Sequence, residues 1–219
     1  MPAHSTIAAL LAGAPDAARP AIRATEGGAP LTHAGLRDLA ERTVASLNRI
    51  GIGRGDRVAI VLPNGPEMAA AFVAIAAGAT TAPLNPAYKA EEFEFYLTDL
   101  KARALVIQQG MASPARAVAA RLGVPLLELV PGGAAGSFTL EGGSLGAAAK
   151  PGPAGTDDVA LVLHTSGTTA RPKIVPLTHG NVCASAASIA ETLALTPEDA
   201  CLNVMPLFHI HGLIAATLS

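Results

Sequence analysis

With 219 residues, half of them hydrophobic, the chain can bury a core of its own and is not disordered by composition. Charged residues make up only 15% and the net charge is −2, with no basic run, which argues against nucleic acid as a partner. The two cysteines, Cys183 and Cys201, fit neither a zinc spacing nor a disulfide framework and read as buried free thiols in a reducing, cytoplasmic setting.

The predicted elements alternate in type. Residues 7–12 are apolar, but no positive residue precedes them, so they read as a short helix closing at Gly13 rather than a signal peptide. Thr32 stands as an N-cap, and Leu36, Leu39, Ala40, Val44, Leu47 and Ile50 then recur at helical spacing up to Gly51. After a Gly-Arg-Gly-Asp turn at 53–56, residues 58–62 form a continuous apolar run, the pattern of a strand buried on both faces. Pro63-Asn64-Gly65-Pro66 breaks it. The longest apolar stretch, 68–84, holds Gly78 and Pro83 and is mostly alanine. It predicts a buried helix over 67–77 and a strand over 80–84, not a membrane span. Residues 90–100 place Phe93, Tyr96, Leu97 and Leu100 on one helical face, with Glu91 and Glu92 at the dipole's positive end. Strand patterns at 104–107 and 125–130 flank a short helix at 115–122. Residues 131–158 are rich in Gly and Pro and read as a partly mobile surface excursion inside the same domain. A further buried strand follows at 159–163. Together these predict an α/β fold, a doubly wound, mostly parallel sheet with helices on both faces.

The chemistry concentrates after that last strand. His164-Thr165-Ser166-Gly167-Thr168-Thr169-Ala170-Arg171-Pro172-Lys173 joins it to a β-rich segment at 174–177. Successive backbone N–H groups in such a turn make an anion nest. The hydroxyls of Thr165, Ser166, Thr168 and Thr169 can donate to phosphate oxygens, and Lys173 supplies a point charge. From composition alone an ordinary Ser/Thr-rich hairpin is the favoured reading. A Walker loop is not, because the second Gly is missing, Pro precedes the Lys and no helix follows. A second feature is Met205-Pro206-Leu207-Phe208-His209-Ile210-His211-Gly212. By itself His209 reads as a structural histidine, as does His211.

Read whole, Thr165-Ser166-Gly167-Thr168-Thr169 with Pro172-Lys173 and Val175-Pro176-Leu177-Thr178-His179 resembles the phosphate loop of the adenylate-forming acyl-CoA synthetases, the AMP-dependent synthetase and ligase family. It departs from the usual pattern at Ala170, where Gly or Ser is common, and at Ile174, where Gly is common. The Pro-Leu-Phe-His block is similar to the family's next motif. With the His-Thr-Ser-Gly-Thr-Thr opening it looks most like the branch containing oxalate–CoA ligases. Segments 51–59, Asn64, Glu67 and 83–86 resemble its scaffold, which makes residues 1–219 a partial N-terminal domain of that fold.

The resemblance implies an activity in two steps, carboxylate plus Mg-ATP giving acyl-AMP and pyrophosphate, then displacement of AMP by the thiol of CoA. Thr165, Ser166, Gly167, Thr168, Thr169 and Lys173 would hold the β- and γ-phosphates. His209 would orient the carboxylate or the α-phosphate, which with Lys173 makes the catalytic pair. ATP, Mg²⁺ and CoA are the implied co-reactants. The metal ligands and the acid are not named by the sequence. Two alternatives stand beside this one, a folded nucleotide-binding piece without turnover and an adenylating enzyme that passes its acyl group to a carrier-protein thiol. The family's later blocks are missing from the 219 residues. The expectation is therefore that this chain alone is inactive and that it exposes apolar surface near Leu213, Ile214 and Leu218, favouring self-association.

Overall fold

The structure is a computed structural model and describes residues 4–14, 16–165 and 172–219. Its centre is a seven-stranded sheet of β3 (Arg57–Val61), β4 (Thr80–Pro83), β5 (Ala104–Gln108), β6 (Leu126–Pro131), β7 (Phe138–Glu141), β8 (Val159–Thr165) and β9 (Lys173–Thr178), in the order β7-β6-β5-β3-β4-β8-β9. The five inner strands run parallel, and β7 and β9 close the two edges antiparallel. A separate two-stranded ribbon, β1 (Pro20–Ile22) with β2 (Leu31–Thr32), precedes it. The helices are α1 (Ile7–Ala12), α2 (His33–Arg49), α3 (Pro66–Ala76), α4 (Ala90–Leu100), α5 (Pro114–Leu122) and α6 (His179–Thr192), and a π-helical turn spans His211–Ala215.

Side-chain alternation along the strands divides the core in two. Val58 and Ile60 of β3, with Ala104 and Val106 of β5, face the layer built by α2, α3, α6 and α1. Ala59, Val61, Leu105 and Ile107 face the layer of α4 and α5, filled by Phe93, Leu97, Leu100 and Val118. Both faces are covered, so the strands carry apolar residues at successive positions, as the sequence pattern predicts. The runs at 58–62, 104–107 and 159–163 are interior strands, and the fold is the doubly wound α/β sheet expected. Helix α3 is buried almost all round, from Met68 through Ala76. Its alanines let it lie close to the sheet without losing helix propensity.

Local signals place the helix ends. Thr32 Oγ1 accepts from the Gly35 N–H at 3.1 Å, Ser113 Oγ from Ala115 N–H at 3.2 Å and Thr178 Oγ1 from Asn181 N–H at 3.2 Å, each satisfying a donor left over at a helix start. Helix α2 ends at Arg49 with Ile50 as its cap, one residue before the expected one. Gly51 follows with φ +92°, and a Cβ there would come within 2.6 Å of the Gly146 carbonyl oxygen. Beneath α5, Arg116 joins three elements. Its guanidinium pairs with Glu128 of β6 and donates to the Gln108 carbonyl at the end of β5, while Nε donates to the Met111 carbonyl.

Three readings are corrected. Residues 131–158 hold β7, which pairs with β6 along Glu128↔Glu141, Leu129↔Leu140, Val130↔Thr139 and Pro131↔Phe138. The rest is tied down by backbone bonds, Leu145 N–H to the Ile50 carbonyl, Arg54 N–H to the Lys150 carbonyl and Ala154 N–H to the Ala77 carbonyl. Glycines there permit close approach; a Cβ on Gly136 would lie 2.7 Å from the Pro66 carbonyl. Second, Leu213, Ile214 and Leu218 are buried, because the π-helical turn folds back against the core; the exposed large apolar residues are Leu193, Leu195, Leu202, Val204, Met205 and Ile210. Third, Cys183 is on the buried face of α6, where burial pushes its thiol pKa up, but Cys201 is exposed.

Candidate active site

In a doubly wound sheet the chain leaves neighbouring strands toward opposite faces at a switch point, and a crevice opens beyond the carboxyl ends there. Here β3 leads to α3 on one face, while β4 and β5 lead to α4 and α5 on the other. The residues singled out for chemistry gather at this end of the sheet.

Thr165 and Lys173 face each other as the last register pair of the β8–β9 ribbon, and both are exposed. The antiparallel β8–β9 ribbon thus sets Thr165 and Lys173 side by side at its end. Ser166, Gly167, Thr168 and Thr169 lie outside the described residues. On the other side of that ribbon β8 shares with β4 only the pair Thr81↔Leu161. The seam is reinforced by Thr80 Oγ1 donating to the Val159 carbonyl and Thr81 Oγ1 donating to the Ala160 carbonyl, both at 2.7 Å.

His209 sits on a separate segment, exposed, at the entry to the π-helical turn. Asn64, in the loop after β3, holds that segment. Its Oδ1 accepts from the Leu207 N–H at 2.7 Å and its Nδ2 donates to the Met205 carbonyl at 3.4 Å. Gly212 completes the motif, since a Cβ there would meet the Pro206 carbonyl oxygen at 2.7 Å and block the turn from folding back. The Pro-Leu-Phe-His run is therefore anchored at the carboxyl end of β3. That strand lies two places from β8, or about 10 Å across the sheet at ordinary strand spacing. Thr165 and Lys173 are brought together; His209 lies on a different segment, which Asn64 holds at the carboxyl end of β3. His211 is exposed at the first position of the turn.

His164, which opens the motif, has partners beside the ribbon's end that the sequence pattern does not single out. The His164 side chain is only 6% exposed, and its Nε2 is 3.0 Å from Asp99 Oδ2 in the last turn of α4. The Tyr96 ring meets the imidazole edge-on at a centroid distance of 4.7 Å, and Tyr88 stacks on Tyr96 at 4.8 Å. Burial, with the neighbouring Tyr96 hydroxyl, pushes the Tyr88 phenol well above its usual range, so it stays neutral. The helical spacing of Tyr96 and Asp99 was the one available signal, but nothing in it points to a strand 65 residues away.

A family model described as AMP-binding enzyme matches residues 12–219. The chain belongs to the AMP-binding enzyme family. It is 43% identical over 194 residues to an oxalate–CoA ligase of Arabidopsis thaliana, covering 86% of this chain and 38% of that protein. It is 40% identical over 203 residues to the probable CoA ligase CCL9 of Humulus lupulus, covering 86% and 37%. Among solved structures, the ATP-bound MatB of Rhodopseudomonas palustris superposes with a TM-score of 0.80 at 28% identity, over 99% of this chain and 43% of that one. The chain thus spans less than two fifths of the length of these curated relatives. Among the described residues of this AMP-binding family member, no helix is long and apolar enough to cross a membrane, and no group of three His, Cys, Asp or Glu could hold a metal ion.

Proposed function

We propose that the protein carrying this chain is an ATP-dependent carboxylic acid–CoA ligase of the cytoplasm. The single observation that carries the reading is the pairing of Thr165 with Lys173 at the end of the β8–β9 ribbon, at the carboxyl end of a doubly wound sheet, in a member of the AMP-binding enzyme family. In the first step a carboxylate oxygen attacks the α-phosphorus of Mg-ATP, and the bond to the bridging oxygen breaks, releasing pyrophosphate and leaving acyl-AMP. In the second the CoA thiol, losing its proton, attacks the acyl carbonyl and AMP leaves. Mg²⁺ enters with the nucleotide as part of the substrate.

An in-line displacement of this kind asks the protein for alignment and charge neutralisation rather than covalent chemistry. Lys173 and the hydroxyls of Thr165, Ser166, Thr168 and Thr169 hold the β- and γ-phosphates, with Gly167 giving the backbone room to approach. His209, on the loop that Asn64 anchors, orients the carboxylate against the α-phosphate. Aligned phosphates on one support and an aligned acid on another give the two halves of the near-attack geometry.

The relatives' names support a CoA ligase and make oxalate the first acid to test. The experiment is exchange of labelled pyrophosphate into ATP by the complete gene product across a panel of short acids, followed by AMP release with and without CoA. Acid-dependent exchange with CoA-dependent AMP release is expected. Exchange without any response to CoA would assign the acyl group to a carrier-protein thiol, and no exchange with any acid would overturn the reading.

A further inference from the structure

The last residues of β8 are paired on one side only. On the β4 side the backbone register between these strands is the single pair Thr81↔Leu161, so Leu163, His164 and Thr165 have no ladder partner there among the described residues. On the other side they pair only with β9, which is the edge strand. A two-stranded ribbon is marginal by itself, and here it is backed by Leu163 and Ile174, half-buried against the two core layers. The threonine bonds from β4 reach only the start of β8; at its end, among the described residues, the polar side-chain link is the Nε2–H of His164 donating to Asp99 Oδ2 at 3.0 Å. Asp99 lies in the last turn of α4, a helix whose Phe93, Leu97 and Leu100 are fully embedded in the core. The Tyr96 ring packs edge-on against the same imidazole and Phe95 flanks it at 6.4 Å, which narrows its choice of rotamer.

We propose that His164 and Asp99 are a positioning pair that sets the direction of the β8–β9 mouth, and with it the placement of Thr165 and Lys173 on the nucleotide's polyphosphate. The inference rests on the reading of that mouth as the phosphate clamp. The pair touches no substrate. His164 is register-paired with Ile174, and Thr165 with Lys173, so a tilt of the ribbon at His164 moves both sides of the mouth together. Losing a hydrogen bond to an ionised carboxylate frees that tilt, and misplacement of about 1 Å is enough to degrade an aligned electrostatic site. The effect falls on the nucleotide and spares the acid, which is held from the β3 side through Asn64.

The test is steady-state pyrophosphate exchange by the complete gene product, with KM for ATP and for the acid measured separately in His164→Ala, Asp99→Asn, the double variant, His164→Gln and, as the control for the clamp itself, Lys173→Ala. Thermal unfolding is followed for each, and Asp99→Asn, which keeps the side chain's shape, covers the case in which His164→Ala does not fold. The expected result is a rise of about tenfold in KM for ATP in either single variant, with KM for the acid within about twofold. The double variant should be no worse than the worse single one, and His164→Gln, which keeps a donor near the Nε2 position, should restore most of the loss. Lys173→Ala raising KM for ATP while Asp99→Asn leaves it unchanged would overturn the pair and keep the clamp. Lys173→Ala without effect would overturn the clamp and the proposal with it. Equal rises for ATP and acid in the Asp99 and His164 variants would reduce the pair to a general packing contact and also overturn it.

Discussion

Asn64 does its work through its two amide atoms, one accepting from Leu207 and one donating to Met205. Replacing it with Ala leaves the Leu207 N–H without that partner, at a cost of about 1 kcal/mol in stability, and loosens the segment that presents His209. Asn64→Ala is therefore expected to lower kcat/KM for the acid about tenfold while KM for ATP stays near its starting value; a loss confined to ATP would contradict the assignment of His209 to the acid. Arg116 offers a contrasting residue, one with no part in the chemistry. Hydrogen bonding to Arg116 holds the Glu128 carboxyl below the usual carboxylate range, against the opposing effect of burial. Because the folded state favours the ionised form, this contribution is present above the ordinary carboxylate pKa and is lost as pH falls through the lowered value. Arg116→Ala removes the bidentate pair and the bonds to the Gln108 and Met111 carbonyls, for an expected loss of about 2 kcal/mol in urea unfolding at pH 7. The pyrophosphate exchange rate at 25 °C should not change.

Helix α6 is tied to helix α1 through one buried imidazole. His179 Nδ1 accepts from the Ile7 N–H at 3.2 Å, so the neutral ring carries its proton on Nε2, which has no well-formed partner. Burial pushes the His179 pKa below its ordinary value, with Asp158 and the Ala76 carbonyl opposing. Protonation at Nδ1 would set two donors against each other at Ile7. The unfolded chain takes up the proton near pH 6.5 and the folded chain only at lower pH, so the stabilisation is complete above that range and declines as pH falls through it. Urea midpoints should drop from pH 7.5 to pH 5.5 more steeply in the natural chain than in His179→Gln; parallel slopes would contradict the account. At this scale the sequence was informative where a pattern repeats. Continuous apolar runs marked β3, β5 and β8, and Thr32 marked the start of α2. It was silent where pairing is decided at a distance. Strand β7 is four residues of mixed burial among glycines, and only the exposed edge of β6 makes it a strand. Asp99 and His164 meet through the packing of α4 under β8, which no local spacing encodes.

For the molecule as a whole, the sheet carries two segments at its carboxyl end. One is the β8–β9 ribbon with Thr165 and Lys173, and the other is the Asn64-anchored loop with His209. The sheet depends on both core layers, and Phe93→Ala in the α4 layer is expected to cost about 4 kcal/mol by cavity formation, measured by chemical unfolding. A cost below about 1 kcal/mol would mean the layer under the ribbon is not packed as described. On the proposed function, the ribbon end holds polyphosphate while the acid is held elsewhere. The most direct measurement is acid-dependent pyrophosphate exchange by the complete gene product with Lys173→Ala, varying ATP and acid in turn. The prediction is a loss on the order of 10²-fold in kcat/KM for ATP, carried largely by KM for the nucleotide, with KM for the acid little changed. An unchanged exchange rate, or a loss carried by the acid, would contradict it.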